Sequence, residues 1–510
     1  MEPEASRKIR WIYWSSGIVS ICGIIFEILF GALGSYAFGD GVKQYALTIG
    51  FFLSGMGLGA YFSEYVRRRL LTAFVLVELG VALIGGVSVL LLFLITAYGG
   101  PKSGQIFLVL VTLAVGVLTG MELPILIREA RRIGEQLNRS AARVLFFDYA
   151  GSLIGAVIFL LLLRPWLGLV RSAFVVGSIN ALVGLLIAWR FAGDLRRPSA
   201  VKGFALGCLA LLSFGIFFGD KASHALESQL YRDQVLRVEE TAYQRIVVTR
   251  EEGDTRLYLN GNLQFSSTDE YRYHESLVHP AMSIPEQHKH ILVLGGGDGL
   301  VVRELLKYPD IDKITLVELD PAVTRMARSD PLLTAINQGA LDHPQVNIVH
   351  EDAFQYVRDN RNLYDVVIVD LPDPNNESIN RMYTVQFYEM LKKRLAPEGA
   401  LVLQGTSPVF ARDCYWTIYE TVKAAGLHTL SYHVDVPSFG NWGFVLATRE
   451  PVKQQALRVE TEEKNRYLTE DTLPSLFHFG KDEQNPGKLR PNTFNDPVLM
   501  DLYGDAWKHY

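Results

Sequence analysis

The chain has 510 residues, too many for one ordinary domain at roughly 150 residues each, with 49% hydrophobic and 20% charged residues. This composition excludes collagen-like, disordered and disulfide-scaffold classes, and Cys22, Cys208 and Cys414 are far apart with no CxxC pair to frame a zinc site. The net charge of −5 is an average: residues 1–220 carry 19 Lys and Arg against 12 Asp and Glu, net +7, and residues 221–510 carry 30 against 42, net −12, so the two parts are built for different surroundings.

Apolar stretches run near 11–38, 44–63, 70–98, 105–127, 144–163, 167–189 and 201–219. Each reaches the length of about 20 residues that crosses a bilayer as a helix. The first is too long for a cleaved signal peptide and six more follow. Residues 1–222 are therefore expected to form a membrane domain of about seven transmembrane helices. Arg7, Lys8 and Arg10, then Arg67 to Arg69, then Arg128, Arg131, Arg132, Arg139 and Arg143, then Arg190, Arg196, Arg197 and Lys202 fall in alternate loops. That pattern places the amino terminus in the cytoplasm, and seven spans then place the second half outside. Glu27, Glu64, Glu78, Glu122 and Asp148 lie within or beside the spans; such acids mark a ligand pathway or pair with interfacial arginines, as Glu64 can with Arg67. Gly55, Gly57, Gly59, Gly151 and Gly155 permit close helix packing.

From about 231 the texture changes. Residues 223–285 are expected to form a small β-hairpin subdomain, with turns at Gly253 and Asn260-Gly261. Between 286 and 450, apolar runs ending in acids or glycines (HILVLGGGDG, ITLVELD, VNIVHED, YDVVIVDLPD, ALVLQG) alternate with helical segments near 300–307, 321–328 and 384–394. Such alternation gives a doubly wound, Rossmann-like α/β domain of the class I methyltransferase type, which binds ligands beyond the carboxyl ends of its strands. Residues 451–510 form a polar tail, expected to be extended and partly ordered.

Gly295-Gly296-Gly297-Asp298-Gly299 makes the first strand-to-helix turn, and Glu318 ends the next strand, where a carboxylate suits a ribose diol. Asp352 ends the third strand, placed to accept from an adenine amino group. The turn lacks the G-x-G-x-x-G order, and Asp298 would repel a pyrophosphate or a carboxylate. A nucleoside with a cationic tail fits, and decarboxylated S-adenosylmethionine is one. Asp370 and Asp373, three residues apart, suit a cationic amine, one of them accepting its proton.

In order along the chain, Tyr243-Gln244, Leu259-Asn260-Gly261 with Gln264, Asp269-Glu270 with Tyr273-His274-Glu275, GGGDG with Arg303-Glu304, Glu318-Leu319-Asp320, Asp352-Ala353, Asp370 to Pro374, Gln404 and Trp442-Gly443-Phe444 resemble the motifs of the polyamine aminopropyltransferase (spermidine synthase) family, in its membrane-fused bacterial form. The resemblance implies that Asp370 is the base, that Asp373, His274 and Tyr273 line the amine site, and that Asp298 sits between amine and aminopropyl group. It further implies Glu318 on the ribose, Asp352 and Ala353 at the adenine, Gln244 and Gln264 on the donor's tail, and Gln404 in the site. Decarboxylated S-adenosylmethionine is then a co-substrate, with no cofactor and no metal. Asn260, Leu371-Pro372, Phe439 and the segment after Pro374 depart from the family pattern and leave the acceptor open, putrescine being the default. A methyltransferase, or a polyamine transporter or sensor, are the alternatives. The expected partners are a small amine, a sulfonium nucleoside and a lipid bilayer, without nucleic acid, in a homodimer or higher homo-oligomer. The donor is made in the cytoplasm, which favours a cytoplasmic catalytic domain on a bacterial inner membrane, against the count of spans.

Overall fold

A computed structural model describes residues 3–38, 41–134, 136–227, 233–241 and 243–506, with backbone alone at 3–6 and 220–227. The chain divides into two compact units between Gln234 and Val235. The first unit contains α1 (Pro3–Phe38), α2 (Gly41–Phe62), α3 (Leu70–Arg132), α4 (Leu137–Ile158), α5 (Arg164–Arg190) and α6 (Pro198–Glu227). The expected boundary at 222–223 falls inside α6, and residues 228–232 just beyond it lie outside the described residues.

At 63 residues, α3 would be about 95 Å long if straight. It is two helices joined at Gly100 (φ 79°, ψ 170°), which is followed by Pro101, and a Cβ on Gly80 would meet Leu118 at 3.1 Å, so its arms lie side by side. The run from Leu137 to Arg190 is broken likewise at Gly168 (φ 66°). Five stretches are long and apolar enough to cross a membrane. Divided at these two glycines, they give seven helical segments, one for each apolar run in the sequence.

Small residues set the spacing of these helices. Added to Gly59, a Cβ would stand 1.9 Å from the Val117 carbonyl, and added to Gly120, 2.2 Å from that of Met56. The α2 and α3 backbones therefore touch, as small-xxx-small faces allow. Gly151 and Gly155 bring α4 as close to Gly17 and Ile21 of α1, whereas Gly57 faces open space. Glu78 and Glu122 are buried in the unit, and Glu64 pairs with Arg67 at 3.8 Å on the surface.

In the second unit, β1 (Gln234–Glu240), β2 (Arg245–Glu251), β3 (Asp254–Leu259) and β4 (Asn262–Ser266) form a four-stranded sheet in chain order. Leu259 pairs with Asn262 across Asn260 (φ 50°) and Gly261 (φ 82°). Two positive-φ residues in a two-residue loop make the type I′ hairpin turn, which Asn and Gly tolerate best. After α7 (Glu270–Met282) the larger sheet begins. Its strands are β5 (His290–Gly295), β6 (Lys313–Glu318), β7 (Val346–His350), β8 (Tyr364–Asp370), β9 (Leu395–Gln404), β10 (His428–Val436) and β11 (Gly440–Thr448). The helices between and after them are α8 (Leu300–Leu305), α9 (Pro321–Ser329), α10 (Pro331–Asn337), α11 (Ala353–Asp359), α12 (Glu377–Asn380), α13 (Val385–Arg394), α14 (Arg412–Ala424) and α15 (Val498–Ala506).

The sheet order is β10-β11-β9-β8-β5-β6-β7. Strands β5 to β9 pair in parallel, and β11 runs antiparallel to both β9 and β10. Successive residues of β5 enter opposite cores: Ile291 and Val293 one, Leu292 and Leu294 the other. This is why the parallel strands read as unbroken apolar runs. The order reverses between β5 and β8, the position where open α/β sheets hold ligands.

The carboxy-terminal segment, expected to be extended and partly ordered, is tied down by buried side chains. Leu457, Val459, Leu468, Leu473, Leu476 and Leu499 are buried, and the three backbone amides of Arg466, Tyr467 and Leu468 donate to the buried Glu275 carboxylate. A few well-spaced leucines and one internal carboxylate hold a segment whose average polarity is high.

Gly295 pairs with Asp370 across β5 and β8, has φ 81°, and a Cβ there would meet the Asp370 carbonyl at 2.1 Å. Gly295→Ala is expected to cost about 3 kcal/mol or more from strain and overlap, read as a lower melting temperature of the purified full chain. An unchanged melting temperature would contradict this packing.

Candidate active site

The site is built at the carboxyl ends of β5, β6 and β8. The turn after β5 carries Gly295, Gly296 and Gly299 at positive φ. It passes so close over Glu318 at the end of β6 that a Cβ on Gly297 would lie 2.6 Å from Glu318 Oε2. Asp298 Oδ1 accepts from Leu300 N at 2.9 Å, and Asn337 Nδ2 donates to the Asp298 carbonyl at 2.8 Å, so the turn is held from both sides. Asp298 raises the pKa of both Glu318 and Asp370, and so lies near both acids.

Glu318 Oε1 accepts from Asp320 N at 3.0 Å. Asp320 Oδ2 accepts from Thr241 Oγ1 at 2.7 Å and from Gln244 Nε2 at 3.2 Å, which brings Gln244 of the small sheet to this strand end. Burial, with Asp320 and Asp298 nearby, pushes Glu318 up to about 7. Gln264 bonds the carbonyl of Asn262 in its own strand at 3.1 Å, and no hydrogen bond joins it to the acids. Asp352 caps α11 by accepting from Gln355 N at 3.1 Å and pairs with Arg381. Ala353, the first residue of α11, is buried beneath it.

Asp370 ends β8 and accepts from the Tyr273 hydroxyl at 2.7 Å. Burial pushes Asp370 up to about 6, with Asp298 adding to the effect and His274 and Tyr273 opposing it. His274 Nδ1 lies 2.8 Å from the Glu270 carbonyl and 2.9 Å from its carboxylate. Arg303 grips the same carboxylate with two bonds of 2.8 and 2.9 Å, a charge-assisted fork that fixes Glu270. Burial acts to lower the His274 pKa, but Glu270, Asp298 and Asp370 outweigh it and raise the imidazole to about 8.

Asp373 accepts from Thr406 Oγ1 at 3.0 Å and Gln404 Nε2 at 3.2 Å, and the nearby Tyr503 hydroxyl also favours its ionised form. Burial nevertheless pushes it up to about 6. Gln404 Nε2 also meets the Leu371 carbonyl at 2.6 Å and the Tyr383 hydroxyl at 2.7 Å, and its Oε1 accepts from Thr406 N and Trp442 Nε1. Asp370 and Asp373 act together on Tyr273 and on Tyr383, so both acids face one place.

Asp298 and Asp370 lie near the His274 cation, and with Glu318 and Asp373 at neighbouring strand ends and turns the site attracts positive charge. The arrangement can hold an organic cation and take up its proton. Sequence reasoning missed Thr406, Tyr383 and Tyr503, and assigned no role to Glu270, Arg303 or Trp442. Glu270 had a signal, four residues before His274 on one helix face. Tyr503 had none.

A family model for the spermine/spermidine synthase domain matches residues 270–457. The chain is 52% identical to a polyamine aminopropyltransferase of Oceanobacillus iheyensis over the full length of both. It is 41% identical to polyamine aminopropyltransferase 1 of Streptomyces coelicolor over 97% of this chain and 94% of that one. A crystal structure of spermidine synthase in complex with the transition state analogue AdoDATO is 26% identical with a TM-score of 0.45, covering 48% of this chain and 86% of that one.

The raised carboxyls give a pH dependence. A cation is held by the ionised forms, so affinity for a short aliphatic diamine is expected to fall as pH drops through about 6, where Asp370 and Asp373 take up protons. Titration calorimetry of the full chain between pH 5 and 8 reads this directly. Constant affinity across that range would remove the two acids from the binding site.

Proposed function

The chain belongs to the polyamine aminopropyltransferase family, and on that premise we propose that it moves the aminopropyl group of decarboxylated S-adenosylmethionine to putrescine, giving spermidine and methylthioadenosine. Aminopropyl transfer itself follows from the family. The donor, the acceptor and the residue roles are the proposal. The observation that carries them is the Tyr273–Asp370 hydrogen bond of 2.7 Å, beside His274, Asp298 and Asp373.

In this mechanism Glu318 holds the ribose, Asp352 and Ala353 meet the adenine, and Gln244 and Gln264 lie toward the donor's tail. Asp298 faces the cationic aminopropyl end and disfavours the carboxylate of ordinary S-adenosylmethionine. Asp373, Tyr273 and His274 line the acceptor site. The acceptor nitrogen must first lose a proton, and Asp370 accepts it. With a pKa near 6, Asp370 is ionised at neutral pH while still a better base than an ordinary aspartate. The nitrogen lone pair then attacks the carbon next to sulfur. The carbon–sulfur bond breaks, its electrons pass to the sulfonium, and neutral methylthioadenosine leaves. The sulfonium already activates that carbon, so the protein supplies alignment and proton removal, and neither metal nor cofactor takes part.

The helical unit is proposed to cross a bacterial inner membrane. Its apolar segments leave Leu160, Leu161, Leu162, Trp166, Trp189 and Phe217 exposed, a contiguous apolar surface of the kind that lipid covers. The catalytic unit is proposed to face the cytoplasm, where its donor is made, in a homo-oligomer.

Asp370→Asn is expected to lower kcat by a factor of about 10² to 10⁴, measured as methylthioadenosine and spermidine released by the purified full chain. A variant as active as the parent would remove Asp370 from the mechanism. For topology, a carboxy-terminal reporter that works only in the cytoplasm is expected to be active. Activity of a reporter that works only outside would overturn the placement and leave the chemistry untouched.

A further inference from the structure

We propose that Arg381 sets the enzyme's selectivity for the adenine of its donor, as the positioning residue that holds the Asp352 carboxylate toward the base. The inference rests on the reading of Asp352 as the adenine ligand. Arg381 lies in the segment after Pro374, where the chain departs from the family pattern and no motif assigns a role.

Asp352 is held through both of its oxygens. Oδ1 accepts from Gln355 N at 3.1 Å at the start of α11, and Oδ2 pairs with Arg381 Nη2. An ionised carboxylate offers about four acceptor directions. With one direction taken on each oxygen, the plane of the group is fixed, and so are the directions left for a donor on the base. The 6-amino group of adenine is such a donor. The 6-oxo group of hypoxanthine is an acceptor and would meet an acceptor there. A site built on a hydrogen bond rejects the analogue that cannot make it. Without Arg381, the carboxylate would keep only its bond to α11 and could turn about it.

Arg381 is itself held in place. Its Nε donates to the Ser378 carbonyl at 3.0 Å, and its guanidinium lies 5.4 Å from the centre of the Phe354 ring, a cation–π contact. Phe354 stacks in turn on Phe387 of α13 at 5.9 Å. The backbone on either side is pinned as well. Thr384 Oγ1 donates to the Arg381 carbonyl at 2.8 Å. The buried Asn492 donates through its side-chain amide to Asn380 Oδ1 at 3.1 Å and to the Tyr383 carbonyl at 2.8 Å. The Tyr383 hydroxyl donates to the carbonyls of Leu371 and Pro372, between Asp370 and Asp373. An ion pair between two free surface side chains is worth little, because both must first be ordered. Here the fold has already ordered them, one as a helix cap and the other between Ser378 and Phe354.

Arg381→Met keeps a long side chain over Phe354 and removes the guanidinium. Titration calorimetry of the purified full chain with methylthioadenosine and with methylthioinosine, its 6-oxo counterpart, reads the selectivity without turnover. The variant is expected to bind methylthioadenosine about tenfold more weakly, the loss of one hydrogen bond to a charged group, with methylthioinosine within about twofold of the parent. In the activity assay, the KM for decarboxylated S-adenosylmethionine should rise about tenfold and that for putrescine stay within about twofold. An unchanged ratio of the two nucleoside affinities would overturn the inference, as would an equal rise in both KM values, which marks general loosening. Tighter binding of methylthioadenosine would also overturn it, since Arg381 would then compete with the base for Asp352. Asp352→Asn, measured beside it, separates the two readings. If Asp352→Asn lowers the selectivity and Arg381→Met does not, the role of Arg381 fails and that of Asp352 stands. If neither changes the selectivity, the adenine reading of Asp352 fails as well.

Discussion

The site depends on one backbone contact, the in-register pairing of Gly295 and Asp370 at the place where the strand order of the large sheet reverses. With no side chain at 295, the two strand ends approach closely enough that a Cβ would overlap the Asp370 carbonyl. That approach directs the chain after β5 across Glu318 and the chain after β8 toward α7. Asp298 and Asp370 therefore spring from the ends of adjacent strands. A sheet that did not reverse there would carry both turns away on the same side, with no crevice between them.

Around that contact the protein gathers carboxylates that repel one another. Burial raises Asp298, Glu318, Asp370 and Asp373, and Asp298 adds to the rise of Glu318 and Asp370, a cost that a bound cation offsets. His274 balances part of it, and its charge is sustained by Glu270, which Arg303 holds in turn. This chain of charge from α8 through α7 to the acids explains why a histidine buried to 2% exposure retains its proton near neutral pH. The turn after Asp370 is held by a similar network. Gln404 spends its amide on Leu371, Asp373, Tyr383 and Trp442 at once, so the turn from Asp370 to Pro374 has few ways to move.

Much of the fold is legible in the residues. Seven apolar runs became seven helical segments, and the alternating strand-and-helix texture became the parallel sheet, because both patterns arise from burial periodicity that a single sequence displays. The hairpin turn at Asn260-Gly261 was equally plain, since few residue pairs accept two positive φ values. The antiparallel strands β10 and β11 were not foreseen as elements; β10 is an edge strand with a mixed pattern, and β11 lies inside the sheet between β10 and β9. In residues 451–506 the average polarity conceals the buried leucines and Asn492 on which the packing rests.

The same division holds for the site. The sequence by itself determined the acidic character of the site: Asp298, Glu318, Asp370 and Asp373 stand at strand ends or in the turns after them, whose spacing is local and could be read along the chain. Only the tertiary structure decided how they are held. Thr406 and Tyr383 reach Asp373 or its turn, and Tyr503 comes near it from 130 residues away, and contacts between distant segments have no period or spacing to reveal them. Electrostatic repulsion among the acids fixed what the site attracts, and packing of remote segments fixed where each acid points.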